Sequence, residues 1–135
     1  MSPSVPSADA YANEPVRFPP LTVVDIAGEA AAVTETYRNQ VLSRVNASCL
    51  RLAVLGGEYP WHQHPRSDEL FLVVEGTLEI ELADGRTLRL ERWQSVVVPA
   101  GQVHRTRGIG RTVNLCFEDL AAETVFVDPP MNLNR

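Results

Sequence analysis

The chain has 135 residues, of which 44% are hydrophobic and 21% charged, with a formal net charge of −5 at pH 7 and an isoelectric point of about 5.1. Those proportions describe one globular domain with a real core, and the acidic balance argues against nucleic acid, whose phosphates need a basic face. No apolar run approaches the roughly 18 to 20 residues that cross a bilayer, so no membrane partner is expected.

Residues 1–20 carry Pro3, Pro6, Pro15, Pro19 and Pro20 among serines and alanines, with neither a basic nor an apolar leader segment. They read as a flexible or extended arm outside the domain. The alanine-rich stretch 28–37 is the one helical candidate, with Asp25 ahead of it as a possible cap. From residue 40 a period of two takes over. Strands are expected at 40–45 and at 48–55, the latter nearly continuous in apolar residues and hence covered on both faces. Others are expected at 69–74, 77–82, 86–90, 95–98, 112–118 and 124–127, with Asp84-Gly85 closing a hairpin between the fourth and fifth of these eight. Many short strands at such spacing make an all-β sandwich or barrel. Cys49 and Cys116 sit in apolar strand-like stretches and read as buried small hydrophobes. With no disulfide framework and no export signal, a cytoplasmic location is expected.

All three histidines fall in two short segments, 56–76 and 99–104. His62 and His64 are two apart, which on a strand puts both imidazoles on one face. Glu69 follows His64 at an odd offset, so the chain must break at Pro65-Arg66-Ser67, all turn-forming or tolerant residues, to return the carboxylate to that face. Its neighbour Asp68 must then point away. With His104, the set His62, His64, Glu69 and His104 comprises three imidazoles and one carboxylate.

The spacing Gly56-x5-His62-x-His64-x4-Glu69-x6-Gly76 resembles the first motif of the cupin superfamily at every fixed position, and Pro99-x-Gly101-x-x-His104 resembles the core of the second. Two positions depart from the family: Trp93 stands where the second motif usually opens with glycine, and Gly108 where it usually closes with asparagine. The resemblance covers roughly residues 47–118. It implies a double-stranded β-helix, or jelly-roll barrel, with one cupin domain over 21–135 and residues 1–20 as the arm. It also implies a family that includes dioxygenases, sugar isomerases and epimerases, oxalate-degrading enzymes, storage proteins and regulator domains, so fold alone does not fix function.

Three neutral imidazoles and a carboxylate suit one divalent transition metal, Fe, Mn, Ni, Zn or Cu, rather than Ca or Mg. In a six-coordinate ion they leave two positions open to a small molecule, water or dioxygen. The pocket above them should be small and mostly apolar. Parity adds Phe71 and Val73 beside Glu69 and Thr106 beside His104, with Tyr59 and Trp61 as candidates for the rim. Arg51 and Asn114 lie in apolar strands, where parity leaves their direction open. A dioxygenase-type oxidoreductase acting on a small organic molecule is the first expectation. A sugar-isomerase-like cupin and a non-catalytic ligand-binding module are the rivals; the chain has no lysine and no glycine-rich cradle for a sugar phosphate. Because both faces of 70–74 are apolar, a homodimer is expected to cover the outer one, the alternative cover being the helical segment.

Overall fold

The computed structural model describes residues 5–131. Its strands are β1 (Tyr37–Val45), β2 (Ser48–Gln63), β3 (Glu69–Leu82), β4 (Thr87–Leu90), β5 (Ser95–Val98), β6 (His104–Asp119) and β7 (Val125–Phe126), with two short helices, α1 (Ala8–Ala12) and α2 (Ile26–Ala31), ahead of them. Every pairing between these strands is antiparallel.

Three long strands carry the architecture because each serves two sheets. The first half of β2 pairs with β1 and with residues 112–119 of β6, which pair in turn with the start of β3, itself flanked by β5. The second half of β2 pairs with residues 104–108 of β6, which pair with the end of β3, flanked by β4. Register shifts mark the crossings, between Leu55 and Gly57 on β2 and on either side of Glu75 on β3. Gly76, the closing glycine of the first motif, takes φ +80 there, and a Cβ on it would stand 2.6 Å from the Arg111 carbonyl oxygen. Only glycine fits so tight a corner. This is the expected double-stranded β-helix barrel, with strands 69–74 and 77–82 fused into one bent strand.

The barrel interior holds Leu55, Phe71, Val73, Leu78, Ile80, Leu82, Leu90, Val98 and Cys116. A second apolar layer lies outside the first sheet, where Leu42, Leu52, Val54, Val113 and Leu115 meet Ala30 and Val33, with Phe18, Val24, Ile26, Leu72 and Val74 at its edge. The chain's own α2 region therefore covers Leu72 and Val74, the residues from which a partner's cover was expected. Asp25 does cap that helix, accepting a hydrogen bond from the Gly28 backbone N–H at 3.2 Å. The helix nevertheless ends at Ala31 rather than Tyr37, because Val33, Thr34 and Thr36 are β-branched and Tyr37 already belongs to β1;.

The arm is corrected by the structure over its described part, residues 5–20. Tyr11, on α1, is buried; the backbone N–H groups of Arg17 and Phe18 donate to the carbonyls of Val41 and Leu42, each at 3.0 Å. Composition suggested a flexible or extended arm, but buried Tyr11, Phe18 at the edge of the outer apolar layer and two backbone bonds to the edge strand β1 hold the segment on the barrel;. Residues 1–4 lie outside the described residues. Among the described residues no helix is long and apolar enough to cross a membrane.

Candidate metal centre

Tyr59 pairs with Thr106 and His62 pairs with His104, three residues of β2 against two of β6. That extra residue is a bulge at Pro60-Trp61, and it decides which side chains face the interior. Tyr59 and His62 both turn inward despite their odd separation, His64 follows at the strand end, and Trp61 is turned to the opposite face. There it packs under the Arg105 guanidinium, 5.0 Å from its ring centre. Trp61 is buried but is not a cavity residue, which corrects its expected place at the rim. The turn at Pro65-Arg66 then returns Glu69 to the interior at 4% exposure, while Asp68 is exposed and accepts a hydrogen bond from the Ala100 N–H at 2.8 Å.

The ligand atoms of His62, His64, Glu69 and His104 all lie within 4.8 Å of one another, and all four residues are buried. Each imidazole is oriented through Nδ1: His62 lies 2.7 Å from the Pro60 carbonyl, His64 2.8 Å from that of Glu123, and His104 2.8 Å from that of Gln102. A carbonyl only accepts, so each Nδ1 carries the proton and each Nε2 presents a lone pair to the centre. His64 Nε2 is 3.2 Å from Glu69 Oε1 and His104 Nε2 is 3.8 Å from it. Two acceptors at 3.2 Å repel unless a proton or a cation stands between them. Consistently, Glu69 Oε1 and His104 Nε2 are both buried without a hydrogen-bond donor or acceptor. A buried acceptor without a donor is costly, and a first-row ion, with bonds of about 2.0 to 2.2 Å to imidazole and carboxylate, would satisfy all four at once. The residues present fit such an ion.

Burial and mutual proximity set the charge states of these groups. Burial, reinforced by the neighbouring imidazoles His104 and His64, holds His62 down to about 3, so it stays neutral and available as a ligand;. Burial also acts against protonation of His64, but the Glu69 carboxylate outweighs it and raises that group. Burial would raise Glu69, yet its two histidine neighbours hold it well below the usual carboxylate range.

Next to the four lies a cavity of about 30 Å³, lined by Tyr11, Tyr37, Asn39, Ala53, Leu55, Tyr59, Phe71, Thr106, Asn114 and Cys116. Of the pocket residues expected from sequence, Tyr59, Phe71 and Thr106 line it. Val73 shares the parity of Phe71 but sits at 0% exposure inside the apolar core and does not line the cavity. The lining is more polar than expected, because Asn114 faces inward, its Nδ2 donating to Cys116 Sγ at 3.0 Å. The hydroxyl of Tyr59 is buried without a partner, and its ring stands edge-on to His62 at 4.8 Å.

Arg51 also faces inward, at 1% exposure. Its Nε lies 3.1 Å from Glu118 Oε2, and its Nη1 and Nη2 donate to Asn39 Oδ1 at 3.0 Å and to the Tyr11 carbonyl at 2.8 Å. The Tyr11 hydroxyl donates to the same Glu118 oxygen at 2.6 Å. Burial, then the Glu69 charge, push the Glu118 carboxyl up to about 8, with Arg51 and the Tyr11 hydroxyl pulling the other way. Sequence reasoning passed over Tyr11, Tyr37, Asn39 and Glu118. The one signal available was a lone tyrosine in a segment rich in serine, alanine and proline.

The two departures from the second motif each have a structural account. Trp93 adopts φ +68, the left-handed conformation that glycine favours, and is two-thirds exposed, so the turn survives at the cost of strain;. Gly108 faces Gly57 across β2 and β6, and a Cβ there would meet the Leu55 carbonyl oxygen at 2.6 Å. The close strand approach excludes any larger residue.

The family model described as "Cupin domain" matches residues 51–117. The protein YdbB of Bacillus subtilis (strain 168) is 52% identical over 99 residues, 73% of this chain and 88% of YdbB. A cupin-2 domain containing protein from Shewanella frigidimarina NCIMB 400 has a crystal structure that superposes with a TM-score of 0.68 at 26% identity, over 72% of this chain and 94% of that one. A longer relative, germin-like protein subfamily 1 member 7 of Arabidopsis thaliana, is 32% identical over 50% of this chain, which spans 33% of its length. The chain belongs to the cupin family, as a small cupin domain with a buried cluster of three histidines and a glutamate able to bind a metal.

Proposed function

We propose that this chain is a metal-dependent enzyme of the dioxygenase type, acting on a small organic molecule that chelates the ion. The observation that carries the metal is the convergence of three imidazoles and one carboxylate, all buried, with their ligand atoms within 4.8 Å of one another and His64 Nε2 3.2 Å from Glu69 Oε1. A divalent first-row ion bound there would supply Lewis acidity, positions for oxygen ligands and, as Fe(II), the capacity to react with dioxygen.

The chain's own residues do the rest. The carbonyls of Pro60, Glu123 and Gln102 hold the imidazole tautomers, so the ligand set needs no reorganisation on binding;. Glu123, in the segment between β6 and β7, also forms a surface ion pair with Arg66. Leu55, Ala53 and Phe71 supply apolar lining to the cavity, which strengthens polar interactions inside it;. Tyr59, buried without a partner, offers its hydroxyl proton to an oxygen of the bound molecule and orients it;. Burial, with the Glu69 and Glu118 charges adding to it, raises that phenol, so it acts as a donor through the physiological range;.

The proposal includes a cytoplasmic homodimer. Cys49 and Cys116 are both free and buried, which suits a reducing compartment;. Leu50, Phe117, Leu70 and Val97 lie side by side across β2, β6, β3 and β5, and Phe117 and Val97 remain 42% and 52% exposed, which leaves an apolar row for a second copy;.

The experiment is metal analysis of protein purified without added metal, followed by oxygen uptake of the Fe(II)-loaded protein with a panel of diketones, catechol-like compounds and thiol acids. Oxygen consumption that needs both the compound and the ion supports the reading. Turnover under anaerobic conditions with several divalent metals would make it an isomerase. Stabilisation by hits, by about 2.7 kcal/mol at a hundredfold excess over Kd, with no turnover in either atmosphere, would make it a binding module.

A further inference from the structure

We propose that Tyr11 is the specificity-determining wall of the cavity: its ring, carried in by the N-terminal segment, restricts the site to compact chelators and keeps out ligands that extend a second ring beyond the group bound at the ion. The inference rests on the reading above for what occupies the cavity, whereas the wall itself stands on packing alone.

The helix that carries Tyr11 has five residues, too few to be stable by itself in water;. It stays in place through Tyr11, its one fully buried residue, whose neighbours Asp9 and Ala10 are exposed. That side chain is fixed from three directions. Its ring stacks on His64 with centroids 5.8 Å apart and planes 24° from parallel. The Arg51 guanidinium lies over the ring, 3.7 Å from its centre. The hydroxyl donates to Glu118 at 2.6 Å. Arg51 and Glu118 come from β2 and β6, the strands that also bring His62 and His104, so the wall and the ligand set share one rigid support. Tyr11 lines the same cavity of about 30 Å³ as Glu69 and Cys116. A space of that size admits an ion and a few small groups, well short of the roughly 300 Å³ and more of ordinary ligand pockets.

The test compares the full-length wild type with Tyr11→Phe, Tyr11→Leu and Tyr11→Ala. The first readout needs no metal: the rate at which a small methanethiosulfonate modifies Cys116, 2% exposed and facing the cavity, located by peptide mass. The expected result is a rate about tenfold or more higher in Tyr11→Ala, intermediate in Tyr11→Leu and near wild type in Tyr11→Phe, with no dependence on low urea, since the opening is local. Equal rates in all four proteins overturn the wall, and so does an increase that climbs with urea as global unfolding does. The second readout is the visible spectrum of the Co(II)-loaded proteins titrated with imidazole and with 4-phenylimidazole. The larger probe should gain about tenfold in affinity in Tyr11→Ala relative to imidazole; an unchanged ratio counts against the proposal. Should none of the four proteins take up cobalt, the metal reading falls, and the labelling rates still judge the wall. If Tyr11→Ala fails to fold, Tyr11→Leu carries both measurements.

Discussion

Removing Arg51 should expose how the chain maintains a buried charge pair beside its site. In Arg51→Met the chain loses the hydrogen bonds to Asn39 Oδ1 and to the Tyr11 carbonyl, the stacking on Tyr11, and the cation 3.1 Å from Glu118. Two buried acceptors left without donors and a lost cation–π contact together cost about 3 kcal/mol. For a chain of this length that lowers Tm by roughly 10 °C. The pH dependence is the sharper test. Glu118 is raised from an unfolded value of 4.5 to about 8, so its carboxyl makes the fold less stable as pH rises between those values and is ionised in the folded wild type only above 8. Without Arg51 the folded value rises further. The variant must then bury an unpaired carboxylate or hold a proton against alkaline solvent, and the defect should grow by about 1.4 kcal/mol per pH unit above 8. Urea denaturation of metal-free wild type and Arg51→Met at pH 6 and pH 9 measures both numbers. A companion Arg51→Met/Glu118→Leu protein removes the charge as well and should recover most of the alkaline loss. A defect below about 1 kcal/mol at pH 6, or one equal at the two pH values, would refute the reasoning.

His62→Ala and His104→Ala should each lose the metal while keeping the wild-type circular dichroism spectrum, since the barrel core and not the ion holds the fold; an unfolded variant would make the site structural. Because His62 is held down to about 3 from an ordinary 6.5, its contribution is fully present above 6.5 and is lost as pH falls toward 3, which amounts to about 2 kcal/mol between pH 7 and pH 5 in the metal-free protein. His62→Gln should lack that loss, and an identical pH profile in the two proteins would contradict the assignment. Gly76→Ala forces a Cβ to within 2.6 Å of the Arg111 carbonyl oxygen at φ +80, and should cost about 2 kcal/mol or more in urea denaturation; a neutral result would mean the corner yields. Light scattering at micromolar concentration should give a dimer, which Phe117→Glu in the apolar row should dissociate; a monomeric wild type removes the dimer from the proposal.

By itself the sequence determined the barrel and the ligand set, because both are written in short-range spacing. Alternation of two along 69–74, and again along 77–82, sets which residues face in, and the positions of His62, His64, Glu69 and His104 follow from local strand geometry and one turn;. Asp68 and Glu69 divided outward and inward as parity required. What only the tertiary structure decided depends on a bulge or on distant packing. The extra residue at Pro60-Trp61 inverts the parity of β2, sending Trp61 away from the cavity and keeping Tyr59 in it, and no local pattern marks a bulge that proline and tryptophan form against a partner strand;. Arg51 could have faced either side of its apolar strand; the residue that turns it inward, Glu118, lies 67 positions away in sequence and its second anchor, Tyr11, 40 positions the other way. Composition placed Tyr11 in a solvated arm because a propensity sums over neighbours. A single aromatic ring that finds a buried carboxylate 107 residues along the chain outweighs that sum, and only the folded barrel brings the two together;.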